Sequence, residues 1–146
     1  MSNTPILRRW CVSLLGCVIA WPVQAGDPAW TDSRVSTGLH ILRADVVVTY
    51  APTARDPRPT PGAQVTRVHA ARHYRGDARV TTRLCWRSLA GPCIDLPGSQ
   101  INTHAFDGLA PEGPFILVHQ ALDWVTTPVP LFIQGSVTVW FSALAH

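Results

Sequence analysis

Lysine is absent from this sequence: all twelve Lys/Arg positions are Arg, and Glu112 is the single Glu among nine acids. An all-Arg set of cations reflects GC-rich coding as readily as function, and carries no functional reading. Charged residues make up 14% of the 146 positions while apolar ones reach 47%, which excludes a disordered acidic or basic chain. No basic run occurs, so the footprint of a nucleic-acid binder is missing. Also missing are a nucleophile elbow, a phosphate loop and a zinc-protease motif. No two acids form an evident catalytic couple, and Glu112 lies in a Pro-rich turn. These absences point away from an enzyme, and neither a cofactor nor a small-molecule ligand is expected. No apolar run reaches the roughly 20 residues that a bilayer-spanning helix requires, so no membrane span is expected.

The sequence is generous with Pro (13) and Gly (10), spread along its length, which argues for short elements with many turns rather than a helical bundle. Its first 25 residues read as an address. Polar residues with Arg8 and Arg9 precede a short apolar run from Trp10 to Ala20, and Val23 and Ala25 then flank Gln24 in a small-x-small pattern. That order is a secretory signal peptide, with cleavage placed after Ala25 and a single periplasmic β domain over residues 26–146. A rival reading takes Leu14 to Cys17 as a lipoprotein signal with Cys17 acylated; the apolar run continues past Cys17, which favours cleavage after Ala25. The Arg8-Arg9 pair fits the twin-arginine route poorly. Loss of the signal removes two Arg and no acid, leaving ten Arg against nine acids, a nearly neutral domain.

Only Cys85 and Cys93 remain after cleavage, and an exported chain with an even pair forms a disulfide. The flanking pattern places it. Val80, Leu84 and Trp86 share one parity while Arg79, Thr81, Arg83 and Cys85 share the other, as in a half-buried strand with its Arg side outward. After a turn over 88–92, Ile94 and Leu96 share a face, leaving Cys93 and Asp95 on the opposite one. Both sulfurs therefore face outward across one hairpin. A metal reading lacks a second ligand pair, and redox pairs are usually spaced Cys-x-x-Cys.

Further strands are read at Gly38–Arg43, Asp45–Tyr50, Val65–Tyr74, Ser99–Phe106, Phe115–Leu122, Val129–Ile133 and Ser136–Phe141. Residues 51–62 hold four Pro with Arg55, Asp56 and Arg58 and read as an exposed loop. About eight short strands with turns between them predict an all-β fold, an antiparallel β-sandwich or open barrel with one disulfide hairpin. His69 and His73 share a strand face but lie about 13 Å apart, too far to hold one ion. Arg75-Gly76-Asp77 spells an adhesion tripeptide, yet Gly-Asp between strands is ordinary turn chemistry. Trp30, Trp86, Trp124 and Trp140 offer an aromatic sugar-binding face; core packing is the stronger reading for Trp86 and Trp124, whereas Trp140 shares its parity with Ser136 and Thr138 and faces solvent or a partner.

Taken in order, Arg83-Leu-Cys85, the hairpin to Cys93-Ile-Asp-Leu-Pro-Gly98 and Phe106-Asp-Gly108 resemble the flagellar protein FlhE family. Phe115, Pro130 and the closing Val137-Thr-Val-Trp140 continue the resemblance, as do Trp30 and Val35-Ser-Thr-Gly-Leu39. The paired Cys with the following Leu-x-Gly and Phe-x-Gly is its distinctive core, and the 51–62 loop and the 142–146 tail depart from it. The resemblance implies a non-enzymatic periplasmic accessory protein of the flagellar type III export system, linked to swarming, which limits proton leakage through the export channel as a chaperone or plug. Its implied partner is a component of the export gate or rod, and the residues carried over are Cys85 and Cys93, as the disulfide. The alternative is a periplasmic module that binds cell-wall glycan through exposed Trp and Arg. Contact with a partner is expected at the Arg79/Arg83 row, the 51–62 loop, or Trp140, the last if the final strand is a sheet edge that pairs with an extended segment.

Overall fold

Period-two alternation of apolar residues dictates the architecture seen in a computed structural model, which describes residues 26–142. The expected signal peptide and the tail from 143 to 146 lie outside the described residues. Eight strands form: β1 (Ala29–Val35), β2 (Val46–Tyr50), β3 (Val65–His73), β4 (Arg79–Trp86), β5 (Cys93–Asp95), β6 (Gln100–Thr103), β7 (Phe115–Asp123) and β8 (Gln134–Phe141). They make two four-stranded sheets, in the orders β1-β8-β3-β6 and β2-β7-β4-β5, with every pairing antiparallel. No strand of one sheet pairs with a strand of the other, so the fold is a sandwich and not an open barrel. Among the described residues no helix is long and apolar enough to cross a membrane.

The core lies between the sheets. Along β8, Val137, Val139 and Phe141 point inward against Val68 and Ala70 of β3, while Ser136, Thr138 and Trp140 point outward. Phe115 is the hub, with Trp30 at 6.1 Å and Phe106 at 5.4 Å edge to face. Such aromatic pairs add roughly 0.5–1.5 kcal/mol each beyond the area they bury. The Trp30 indole N–H donates to the Pro111 carbonyl at 2.7 Å, and that of Trp86 to Ala110 at 3.1 Å. Both indoles thereby pin the Pro-rich turn before β7 to the core.

Three expectations are corrected, and one strand is new. Residues 38–43 form no strand: Leu39 makes a lone bridge to Leu131, and the chain then turns at Arg43, whose φ is 60°. Residues 129–133 likewise form only that bridge, because Pro128 and Pro130 carry no N–H to donate to a ladder. The strand that sequence reasoning missed is β1, whose inward row contains Asp32 beside Trp30 and so breaks the apolar alternation. Finally, β8 is not a sheet edge, because it pairs with β1 on one side and β3 on the other. The Leu39/Leu131 bridge closes a second small cluster with Val80, Ala121 and Ile133. From the strand directions, loops 36–45, 74–78 and 124–133 gather at that pole of the sandwich, and loops 51–64, 87–92 and 104–114 at the opposite one.

Candidate functional surface

In β4, residues Val80, Thr82 and Leu84 are buried and Arg79, Thr81 and Arg83 are exposed, as the sequence parity requires. Cys85 and Cys93 are directly opposed in the β4–β5 hairpin and are joined by a disulfide with their Cα atoms 4.1 Å apart. The bond lies on the outer face, as expected. Cys85 is nevertheless buried, because it packs with Ile116 and Val118 of β7 on that face. The bridge closes a loop over a sequence separation of 8, which stabilises the fold by about 2.5 kcal/mol on the chain-entropy account. Cys93→Ala should lower the unfolding free energy in urea by that amount, and the same loss should follow reduction of the wild-type protein. Equal urea midpoints with and without reductant would show the bridge to be energetically idle.

Trp140 lies outward on β8, flanked by Ala29 of β1 and Arg67 of β3. Its ring does not stand free, because the Arg67 guanidinium lies over it at 3.9 Å from the centroid. Together with Asp27, Thr66 and His104 they border a depression of about 450 Å3. Since β8 is an interior strand, its backbone offers no unpaired ladder groups, and edge pairing at Trp140 is ruled out. Of the other indoles, Trp30 is wholly buried and Trp86 and Trp124 are half-buried against apolar clusters, so the four form no shared aromatic face. His69 and His73 sit on the outer face of β3, opposite Thr138 and Gln134. Among the described residues no group of three or more His, Cys, Asp or Glu is placed to hold a metal. Arg75-Gly76-Asp77 is a turn whose Asp77 carboxylate accepts from the Thr126 and Thr127 hydroxyls. Those bonds hold its carboxyl below the usual range. Loop 51–62 is mostly exposed and is tied internally by Asp56, which accepts from the Thr53 backbone and hydroxyl.

Sequence reasoning did not single out a polar relay inside the sandwich. Arg72 sits across from Gly135 in β8 and turns inward, donating to the Val80 carbonyl at 2.7 Å, to Thr82 Oγ1 at 3.0 Å and to the Gly98 carbonyl at 3.1 Å. The Thr82 hydroxyl, which accepts from Arg72, is also hydrogen-bonded to His119 Nδ1 at 2.8 Å. Nε2 of His119 has no partner among the described residues. Burial, and then the nearby Arg72 charge, push its pKa down to about 4. The relay ties one sheet to the other, with His119 fully buried between them. Its signal in the sequence was parity alone: His119 follows Phe115 and Leu117 on the inner row of β7.

With these features in place, the molecule belongs by shape to the antiparallel β-sandwiches carrying a disulfide hairpin. Its fold is FlhE-like: the chain superposes on a solved structure described as the crystal structure of FLHE with a TM-score of 0.62 and 22% identity, covering 82% of this chain and 100% of that one. A second solved structure, Desmodium yellow mottle tymovirus, aligns at a TM-score of only 0.26 and 12% identity over 99% of this chain and 98% of that one, and nothing rests on it. No protein-family model and no curated protein matches the sequence.

Proposed function

We propose that this chain is a periplasmic accessory protein of the flagellar export system that acts by binding and not by catalysis. The observation that supports this reading most is the correspondence of its fold to FlhE, over all of that chain and 82% of this one. It agrees with the family resemblance carried by the Cys85–Cys93 hairpin and the residues that follow it. On this reading the protein binds a component of the export gate or rod and limits proton leakage while export is active. No cofactor takes part. The exposed Arg79 and Arg83 on the outer face of β4 are the polar contacts assigned to it, and Trp140 contributes through the Arg67 stack rather than through an edge.

A deletion strain should lose swarming and should acidify its cytoplasm while export is active, with both restored by the wild-type gene. Complementation with the Arg79→Ala/Arg83→Ala pair should restore neither fully, although the purified variant keeps its melting temperature. Normal swarming and normal cytoplasmic pH in the deletion strain would refute the reading. Retention of the purified domain on peptidoglycan would then support the glycan-binding alternative.

A further inference from the structure

Exposed apolar side chains are not spread evenly over this surface. Of the eight large ones among the described residues, Val35, Ile41, Leu42, Val125, Val129 and Phe132 all lie at the pole formed by loops 36–45, 74–78 and 124–133, or on the strand end that enters it. Scattered apolar residues need no explanation, but a gathering of this kind marks an interaction site. Within the pole, a cleft of about 480 Å3 opens on the outer face of the β1-β8-β3-β6 sheet. Val35, at the end of β1, lines it together with Pro128, Pro130 and Phe132. Val35 and Phe132 are 62% and 54% exposed, so each keeps apolar surface to cover.

The cleft is built and not merely left over. Asp77 accepts hydrogen bonds from the Thr126 amide at 2.9 Å and from both Thr hydroxyls, while Thr127 Oγ1 accepts from the Asp77 and Ala78 amides. Gly76 makes this docking possible, since a Cβ there would fall 2.5 Å from Thr127 Oγ1. A partner therefore meets a wall already ordered, which lowers the entropic cost of binding. Arg75 is the cation that lines the cleft, and no carboxylate does. The neighbouring acids are engaged locally, Asp77 by the two Thr and Asp32 by Arg34 and the Ala51 amide. Arg75 forms no ion pair among the described residues.

One further feature separates a polypeptide from other apolar anions. β1 is the edge of its sheet, so Ser33–Val35 present backbone groups on their open side right at the mouth of the cleft. A strand added there would set a side chain beside Val35, on the way into the apolar space, as in other β-augmentation complexes. We infer that this pole is a docking site for an extended polypeptide segment with an aliphatic residue and, two positions on and so on the same face, an acidic residue, whose aliphatic side chain seats beside Val35 and Phe132 and whose carboxylate meets Arg75. The inference holds whether or not the partner is flagellar.

The test uses the 15N-labelled domain of residues 26–146 and three synthetic dodecapeptides in which the named pair recurs two positions apart with Thr between: Val/Glu (Val-Thr-Glu-Thr repeats), Val/Lys (Val-Thr-Lys-Thr repeats) and Ser/Glu (Ser-Thr-Glu-Thr repeats). The Val/Glu peptide should bind, with amide shifts concentrated in Ser33–Val35, Tyr74–Gly76 and the non-Pro residues of Thr127–Gln134, and the other two should bind at least tenfold more weakly. Arg75→Glu, an exposed substitution, should reverse the preference toward the Val/Lys peptide, and Phe132→Ser should weaken Val/Glu binding at least tenfold. Absence of binding, shifts centred on another surface, or an unchanged charge preference in Arg75→Glu would overturn the inference. So would binding to phosphatidylglycerol vesicles through the same residues with no peptide bound, which would make the pole a lipid-docking surface.

Discussion

Gly135→Ala should destabilise this protein by about 3 kcal/mol, the upper part of the range for overpacking a filled core, and lower its melting temperature by roughly 10 °C. Gly135 lies on the inner row of β8, and a Cβ there would run into Tyr50 Oη and approach Leu117 Cδ1 to 3.0 Å. The constraint is one of space, since neither neighbour is a freely moving chain end: Tyr50 and Leu117 are both wholly buried. Tyr50 Oη has no partner among the described residues, and burial together with the Asp32 carboxylate keeps the phenol protonated. Tyr50→Phe should accordingly change stability by less than about 1 kcal/mol, because it removes a buried hydroxyl that makes no protein hydrogen bond. In the Tyr50→Phe background the cost of Gly135→Ala should fall to about 1 kcal/mol, a coupling of about 2 kcal/mol between the two sites. Urea unfolding of the four proteins measures it. Additive losses would show that the close approach of Tyr50 is not the reason for glycine at this position.

The second large effect is a loss of stability in weak acid. Unfolded His119 would take up a proton near its ordinary pKa of 6.5, whereas in the fold it does so only near 4. The unfolded state therefore binds more protons between those values, and stability falls as pH drops from 6.5 to 4. Each pH unit costs up to about 1.4 kcal/mol, and the whole window roughly 3 kcal/mol. Protonation would also set a cation beside Arg72. His119→Gln should flatten the pH profile across this window while lowering stability at pH 7. Asp56 and Asp77, whose carboxyls are held below their ordinary value of 3.8 by Thr hydroxyls, act only at lower pH and leave the window to His119. A wild-type stability that is level between pH 6.5 and 4 would show that His119 takes up its proton in the folded state without strain.

Much of the architecture was written locally. In β4 the parity of Val80 and Leu84 against Arg79 and Arg83 fixed which face is buried, and with Cys93 and Ile94 it placed the disulfide on the outer face before any pairing was known. That works because the side-chain period of a strand is two, so a few residues determine inside and outside. β1 escaped the same reading because its inward row pairs Trp30 with Asp32, and an acid on the core side cancels the apolar signal. Only tertiary structure explains why Asp32 is tolerated there: Arg34 and the Ala51 amide satisfy its carboxylate. Strand order, too, is a long-range matter. Whether Ser136–Phe141 is an edge or an interior strand depends on β1 arriving from over 100 residues earlier in the chain, as the pairing of Thr31 with Thr138 shows. The sequence by itself determined an all-β chain, its alternating faces and the cysteine pair, because those follow from residue type and a two-residue period. Tertiary structure decided the Arg72–Thr82–His119 relay, the space that requires Gly135 and the apolar cleft at one pole, because each joins side chains from strands or loops that nothing in their own segments brings together.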